Sequence, residues 1–167
     1  VFVNVDPEAK SLDSQSGNLA NEIHEYAPDL DKLTFAHRLT YHIEANWKAV
    51  ADNFLECYHC PVAHKDFCSL VDMDTYKVTT HGIYSSHMAQ AGLSKNQAYD
   101  VVGASVTDHA VWFLWPNTTL MRYPGRGNFM VWKFIPIGPE QTYEEFNFFF
   151  ERRSGVRLCS SENLWFG

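Results

Sequence analysis

Residues 108–150 fix most of what this chain can become. Four runs rich in β-branched and aromatic side chains, 108–115, 118–123, 128–137 and 142–150, are separated by Trp115-Pro116-Asn117, Pro124-Gly125-Arg126-Gly127 and Gly138-Pro139. Proline cannot donate to a sheet ladder, and glycine and asparagine tolerate turn conformations. Runs this short between breakers this tight read as an antiparallel meander. A further run at 76–85 reads as a strand before it. Leu33, Phe35, His37, Leu39, Tyr41 and Ile43, at every second position of 32–45, read as another.

The period changes after residue 45. Trp47, Val50, Ala51, Phe54 and Leu55 fall three and four apart within 46–59, which makes one apolar helical stripe, with Asn46 as its expected N-cap. Pro61 is expected to end that helix and to place a turn between His59 and His64, before a second short helix reaching about Leu70. Residues 6–31, rich in Pro, Ser, Asp, Asn and Gly, read as a surface connection with a helical turn around Leu19 to Tyr26. VFVNV at the start reads as a strand, and 152–167 shows neither period. The fold class that follows is α+β, a twisted antiparallel sheet with helices on one face around a pocket.

Composition narrows the function. At 46% hydrophobic and 20% charged the chain reads as one folded domain, and its net charge of −7 disfavours nucleic acid as a partner. No apolar run approaches the length of a bilayer crossing, and VFVNVDPEAK lacks a signal-peptide pattern, so a cytoplasmic setting without a membrane partner is expected. Cys57, Cys60 and Cys68 crowd together, a poor framework for stapling a secreted fold; reduced thiols are expected.

The chemistry concentrates in ECYHCPVAH, residues 56–64. On a helix, Asp52, Glu56 and His59 would share one face. His64, five residues past His59, would point about 140° away on an unbroken helix, but a break at Pro61 lets it fold back. Two converging imidazoles suit a metal. Three other readings compete: a zinc knuckle of Cys57, Cys60, His64 and Cys68; a thiol redox pair of Cys57 and Cys60, disfavoured at a helix C-terminus; and core histidines with bystander thiols.

NWKAVADNFLECYHCPVAHKDF, residues 46–67, resembles the mononuclear-iron helix of Rieske-type non-haem iron oxygenases. ECYHCP is especially similar to members acting on quaternary ammonium compounds such as carnitine and glycine betaine. The resemblance implies a helix-grip (START-like) catalytic domain, incomplete at its C-terminus, over 32–151. Residues 1–31 would be the tail of a preceding Rieske domain with its linker, and 152–167 an atypical tail. It implies that His59 and His64 are ligands of mononuclear Fe(II), and that Glu56 links a ligand histidine to a neighbouring subunit's Rieske centre. Asn53 would stand beside the iron. The parent enzyme would hydroxylate or N-demethylate a small organic substrate with O2, as a homotrimer supplied with electrons by a reductase; an aromatic-ring-hydroxylating dioxygenase or a non-catalytic ligand-binding module of the same shape are the alternatives. Trp112, Trp115, Tyr84 and Tyr123 are the aromatic faces expected to hold a cationic substrate.

Two parts of such an enzyme do not match. Cys57-Tyr58-His59 has one Rieske spacing, but no Cys-x-x-His follows, so the [2Fe–2S] cluster is expected outside this sequence. The third, carboxylate iron ligand is expected outside it as well. Asp66, Asp72, Asp74 and Glu162 read as solvated loop residues, and the isolated chain is expected to be inactive.

Overall fold

The structure, a computed structural model, describes residues 4–92, 101, 103–104 and 106–151. The start of the run read as a strand at 1–5 and the whole of 152–167 lie outside them. Seven strands form one antiparallel sheet: β1 (Leu33–Ile43), β2 (Lys77–His81), β3 (Tyr84–Ala89), β4 (His109–Leu114), β5 (Thr118–Arg122), β6 (Asn128–Gly138) and β7 (Gln141–Glu151). Their spatial order is β1-β7-β6-β5-β4-β3-β2. The expected meander is present from β4 to β7. The run 76–85 differs: it is a hairpin, because Gly82 takes φ +59 and turns the chain in two residues, pairing His81 with Tyr84.

β1 and β2 stand at opposite edges, so the 33 residues between them, 44–76, must cross a whole face of the sheet. That crossing carries α3 (Trp47–Leu55), α4 (Cys60–Ala63) and α5 (Lys65–Leu70). Asn46 caps α3 as expected, its side chain accepting the Lys48 N–H at 3.0 Å. The apolar stripe of α3 lies on the sheet: Val50, Ala51, Phe54 and Leu55 pack on Phe113 and Phe134. Phe54 and Phe134 flank Trp132, with ring centroids 4.6 and 4.4 Å from it.

The segment read as a connection covers the other face. Its α1 (Leu12–Ser16) and α2 (Leu19–Tyr26) include the predicted turn, and Leu19 and Ala27 are buried against Ala110, Trp112 and Leu114. Strand alternation explains the division, since Val111 and Phe113 point to α3 and their neighbours to α2. Glu22 anchors this layer by accepting the Tyr84 hydroxyl at 2.9 Å and the Trp112 indole N–H at 3.0 Å. Just past α2, Asp29 pairs at 3.3 Å with the fully buried Arg122. Replacing Glu22 by Ala leaves two buried donors unpaired, at about 1–3 kcal/mol each. Urea unfolding is expected to show a lower midpoint at unchanged m for Glu22→Ala, and a smaller loss for Glu22→Gln, which keeps an acceptor.

Candidate metal centre

Helix α3 stops at Leu55, earlier than the sequence suggests. Glu56 is extended, with φ −118° and ψ 163°, and its carboxylate accepts the Tyr58 backbone N–H and contacts Nδ1 of His59. These local bonds compete with the next helical turn and offer the backbone an alternative to it. Pro61 therefore does not end α3; it sits in the first turn of α4, where a missing N–H costs nothing. The face expected to join Asp52 to Glu56 and His59 does not extend beyond α3, and Asp52 and Asn53 are exposed on that helix.

What the turn does achieve is convergence. His59 caps α4, His64 stands between α4 and α5, and their rings come within 5.1 Å at 76°. With Glu56 on Nδ1, His59 keeps Nε2 for a ligand, the arrangement in which a carboxylate fixes tautomer and ring orientation. The bond to His59, followed by that from Tyr58, holds the Glu56 carboxyl below its ordinary range. Glu56 and His59 are partly exposed, with side-chain accessibilities of 34% and 28%, and His64 is exposed, so the pair is reachable from solvent.

The thiols contradict the expectation of free cysteines. Cys57 and Cys60 are joined in a disulfide, their Cα atoms 5.0 Å apart, because the turn after Leu55 brings Cys57 beside Cys60 at the start of α4. Bridged sulfurs offer no thiolate, which removes the zinc knuckle. Cys68 alone is free among the described cysteines, and burial raises its thiol pKa. No cluster of three or more metal-binding side chains forms among the described residues. Asp66 and Asp74 are exposed, and Asp72 caps a 3₁₀ turn at Asp74 N–H. Glu162 lies outside the described residues.

The four aromatic candidates do not converge. Trp112 and Tyr84 face α2, both bound to Glu22, on the sheet surface away from α3–α5. Trp115 is 62% exposed at the end of β4 beside Trp47. Only Tyr123 lies under α5, where its ring meets Phe67 at 6.3 Å and His109 at 5.0 Å. A surface depression lined by Glu44, Ala45, Asn46, Glu140 and Gln141 includes none of the candidates.

Beneath α5 lies a group that the sequence reading missed. His87 and His109 are each 1% exposed; the Tyr76 hydroxyl is 3.2 Å from Nδ1 of His87, and Ser85 Oγ is 3.2 Å from its Nε2. The available signal was phase, since both histidines keep step with Val111 and Phe113. Burial pushes His87 down to about 4 and His109 down to about 3, the latter opposed by a hydrogen bond to the Arg122 backbone. Burial also pushes Tyr76 up to about 12.

The family described as "Ring hydroxylating alpha subunit (catalytic domain)" matches residues 30–161. The carnitine monooxygenase oxygenase subunit of Escherichia coli K12 is 35% identical over 150 residues, covering 90% of this chain and 40% of that protein. The chloroplastic choline monooxygenase of Beta vulgaris is 34% identical over 110 residues, covering 64% of this chain and 23% of that protein. A quaternary ammonium Rieske monooxygenase, described with carnitine oxidation and inter-subunit electron transfer, superposes with a TM-score of 0.76 at 25% identity, over 92% of this chain and 41% of that one. Such an enzyme solved with L-carnitine gives 0.73 at 25% identity (92% and 39% covered), and with γ-butyrobetaine 0.72 at 25% (92% and 38%). The chain thus spans about 40% of the length of the carnitine monooxygenases it matches.

The buried histidines set an acid limit on stability. An unfolded chain binds protons at both near the ordinary 6.5, whereas the folded chain does not until about 4 and about 3. Their contribution is complete above pH 6.5 and is lost as pH falls, by up to about 1.4 kcal/mol per pH unit for each. Urea midpoints between pH 7 and pH 4.5 are expected to fall less steeply in His109→Phe than in the parent chain; equal slopes would contradict the burial of a neutral imidazole.

Proposed function

The chain belongs to the ring-hydroxylating alpha-subunit catalytic-domain family, and from that premise we propose that it forms part of the mononuclear-iron domain of an O2-dependent oxygenase acting on a small quaternary ammonium compound. One observation carries the reading: Glu56 occupies Nδ1 of His59 while the ring of His64 stands 5.1 Å from that of His59. Rieske oxygenases use a mononuclear iron and a [2Fe–2S] cluster, and the donor set fits the iron as two of three ligands. His59 Nε2 and one His64 ring nitrogen would bind Fe(II), and a carboxylate from a part of the relatives that this chain does not span would complete the set. Bound there, the iron would supply O2 activation for oxidising a C–H bond, giving hydroxylation or N-demethylation.

The chain's own residues have distinct tasks. Glu56 holds His59 in one tautomer and offers a hydrogen-bonded route for electrons, which in this reading come from a reductase through a cluster on a neighbouring subunit of a homotrimer. Asn53, exposed on α3 one turn before Glu56, would stand at the metal's edge. Tyr123, packed on Phe67 of α5, and Trp115 would offer aromatic faces to an alkylammonium group. No helix among the described residues is long and apolar enough to cross a membrane. The setting we propose is the cytoplasm.

Metal titration tests this reading. After loading with Fe(II) under argon and desalting, this chain is expected to retain well under one iron per molecule, and one tightly held iron would contradict the two-ligand account. Weak Co(II) binding is expected to drop about 10- to 100-fold in Glu56→Ala, and to vanish in His64→Ala.

A further inference from the structure

We propose that Cys57 and Cys60 are a reversible thiol–disulfide pair whose bridge holds the turn that presents His59, so that their redox state sets the metal affinity of His59 and His64. The inference rests on the iron reading above and adds a means of regulating that same site.

The position of the bridge carries it. Cys57 directly follows Glu56 and Cys60 directly follows His59, so the bridge ties together the two ends of the contact by which Glu56 orients the imidazole. The Cys60 N–H donates to the Cys57 carbonyl at 3.2 Å, and the two sulfurs close the same turn covalently. Burial adds little to hold it. Tyr58 is 94% exposed, Glu56 and His59 are partly exposed, and only Cys60, at 4%, is buried. Cys60 is also the first residue of α4, where its carbonyl accepts the His64 N–H at 2.8 Å. The bridge therefore fastens the partly exposed arm that carries Glu56 to the buried start of the helix that His64 follows. Both candidate ligands are joined through it.

The chemistry needs only a small-molecule thiol and its disulfide. Cys57 is half-buried, so exchange begins at its sulfur. An incoming thiolate attacks Cys57 Sγ, and the Cys57–Cys60 bond breaks with its electron pair on Cys60 Sγ. A second thiolate attacks the incoming sulfur of the mixed disulfide, which releases Cys57 Sγ and a small-molecule disulfide. Each cysteine sulfur takes up one proton; the chain is reduced by two electrons and the thiol is oxidised by two. The small-molecule disulfide drives the same steps in reverse. Disulfides of cytoplasmic proteins are commonly of this transient, redox-sensing kind. Once the bridge is open, only hydrogen bonds hold the turn, and a metal must order it on binding.

Equilibrating this chain in buffers of reduced and oxidised glutathione, and trapping its thiols by alkylation, is expected to show Cys57 and Cys60 changing together in one two-electron transition. A bridge that survives reduced glutathione, or never forms in the oxidised compound, would overturn the proposal. Amide exchange at Tyr58 and Cys60 needs no variant: it is expected to be about 3- to 10-fold faster in the reduced chain than in the bridged one, and equal rates would overturn the coupling. The double variant Cys57→Ser/Cys60→Ser can neither bridge nor offer a thiolate. It is expected to bind Co(II) about 3- to 10-fold more weakly than the bridged chain, less than the full closure entropy of so short a ring because the turn keeps its hydrogen bonds. Near-UV circular dichroism confirms its fold. Equal Co(II) affinities would overturn the proposal and leave the iron reading standing, whereas Co(II) binding by neither chain would overturn both.

Discussion

The strand order governs everything else in this structure. β1 pairs with β7 at one edge while β2 lies at the other, so the chain cannot pass from the first strand to the second without crossing the sheet. A connection that long must be covered on one side by the sheet and exposed on the other. α3 meets that demand with its apolar stripe, and α5 meets it with Phe67 and Leu70. The non-helical link between α3 and α4 is where backbone groups need other partners, and Glu56 supplies one. The candidate ligands thus stand where the crossing breaks.

That break couples fold to chemistry. One carboxylate turns the chain at Tyr58 and also fixes the imidazole of His59. The sheet separates two kinds of aromatic residue beneath. On the α2 side, Trp112 and Tyr84 are bound to Glu22 and hold the N-terminal layer in place. On the α5 side, Tyr76, His87, His109 and Tyr123 combine rings with nitrogens and hydroxyls beneath that helix.

Much of this was legible in the sequence, for identifiable reasons. Alternation and Pro/Gly breakers placed β4 to β7 within a residue or two, and Asn46 announced α3, because these signals are local. The pairing of β1 with β7 is not local: nothing in residues 33–43 names a partner about a hundred positions away. The end of α3 was misplaced because Pro61 looks like a breaker, whereas the turn is made by the side chain of Glu56. Gly82 was hidden inside a continuous β-type run. His87 and His109 were overlooked because a polar residue in a strand normally faces water, and the placement of Trp112 and Tyr84 against α2, away from Tyr123, was not legible because alternation does not say which helices cover which face.

The central claim is that Glu56 holds His59 by Nδ1 and thereby turns Nε2 toward a metal. Long-range ¹H–¹⁵N correlation of the histidine rings, at a pH where imidazole is neutral, measures this directly. The account requires His59 to be the Nδ1–H tautomer in this chain and to become a mixture in Glu56→Ala. An Nε2–H tautomer in the parent chain, with Nδ1 as the free lone pair, would contradict it.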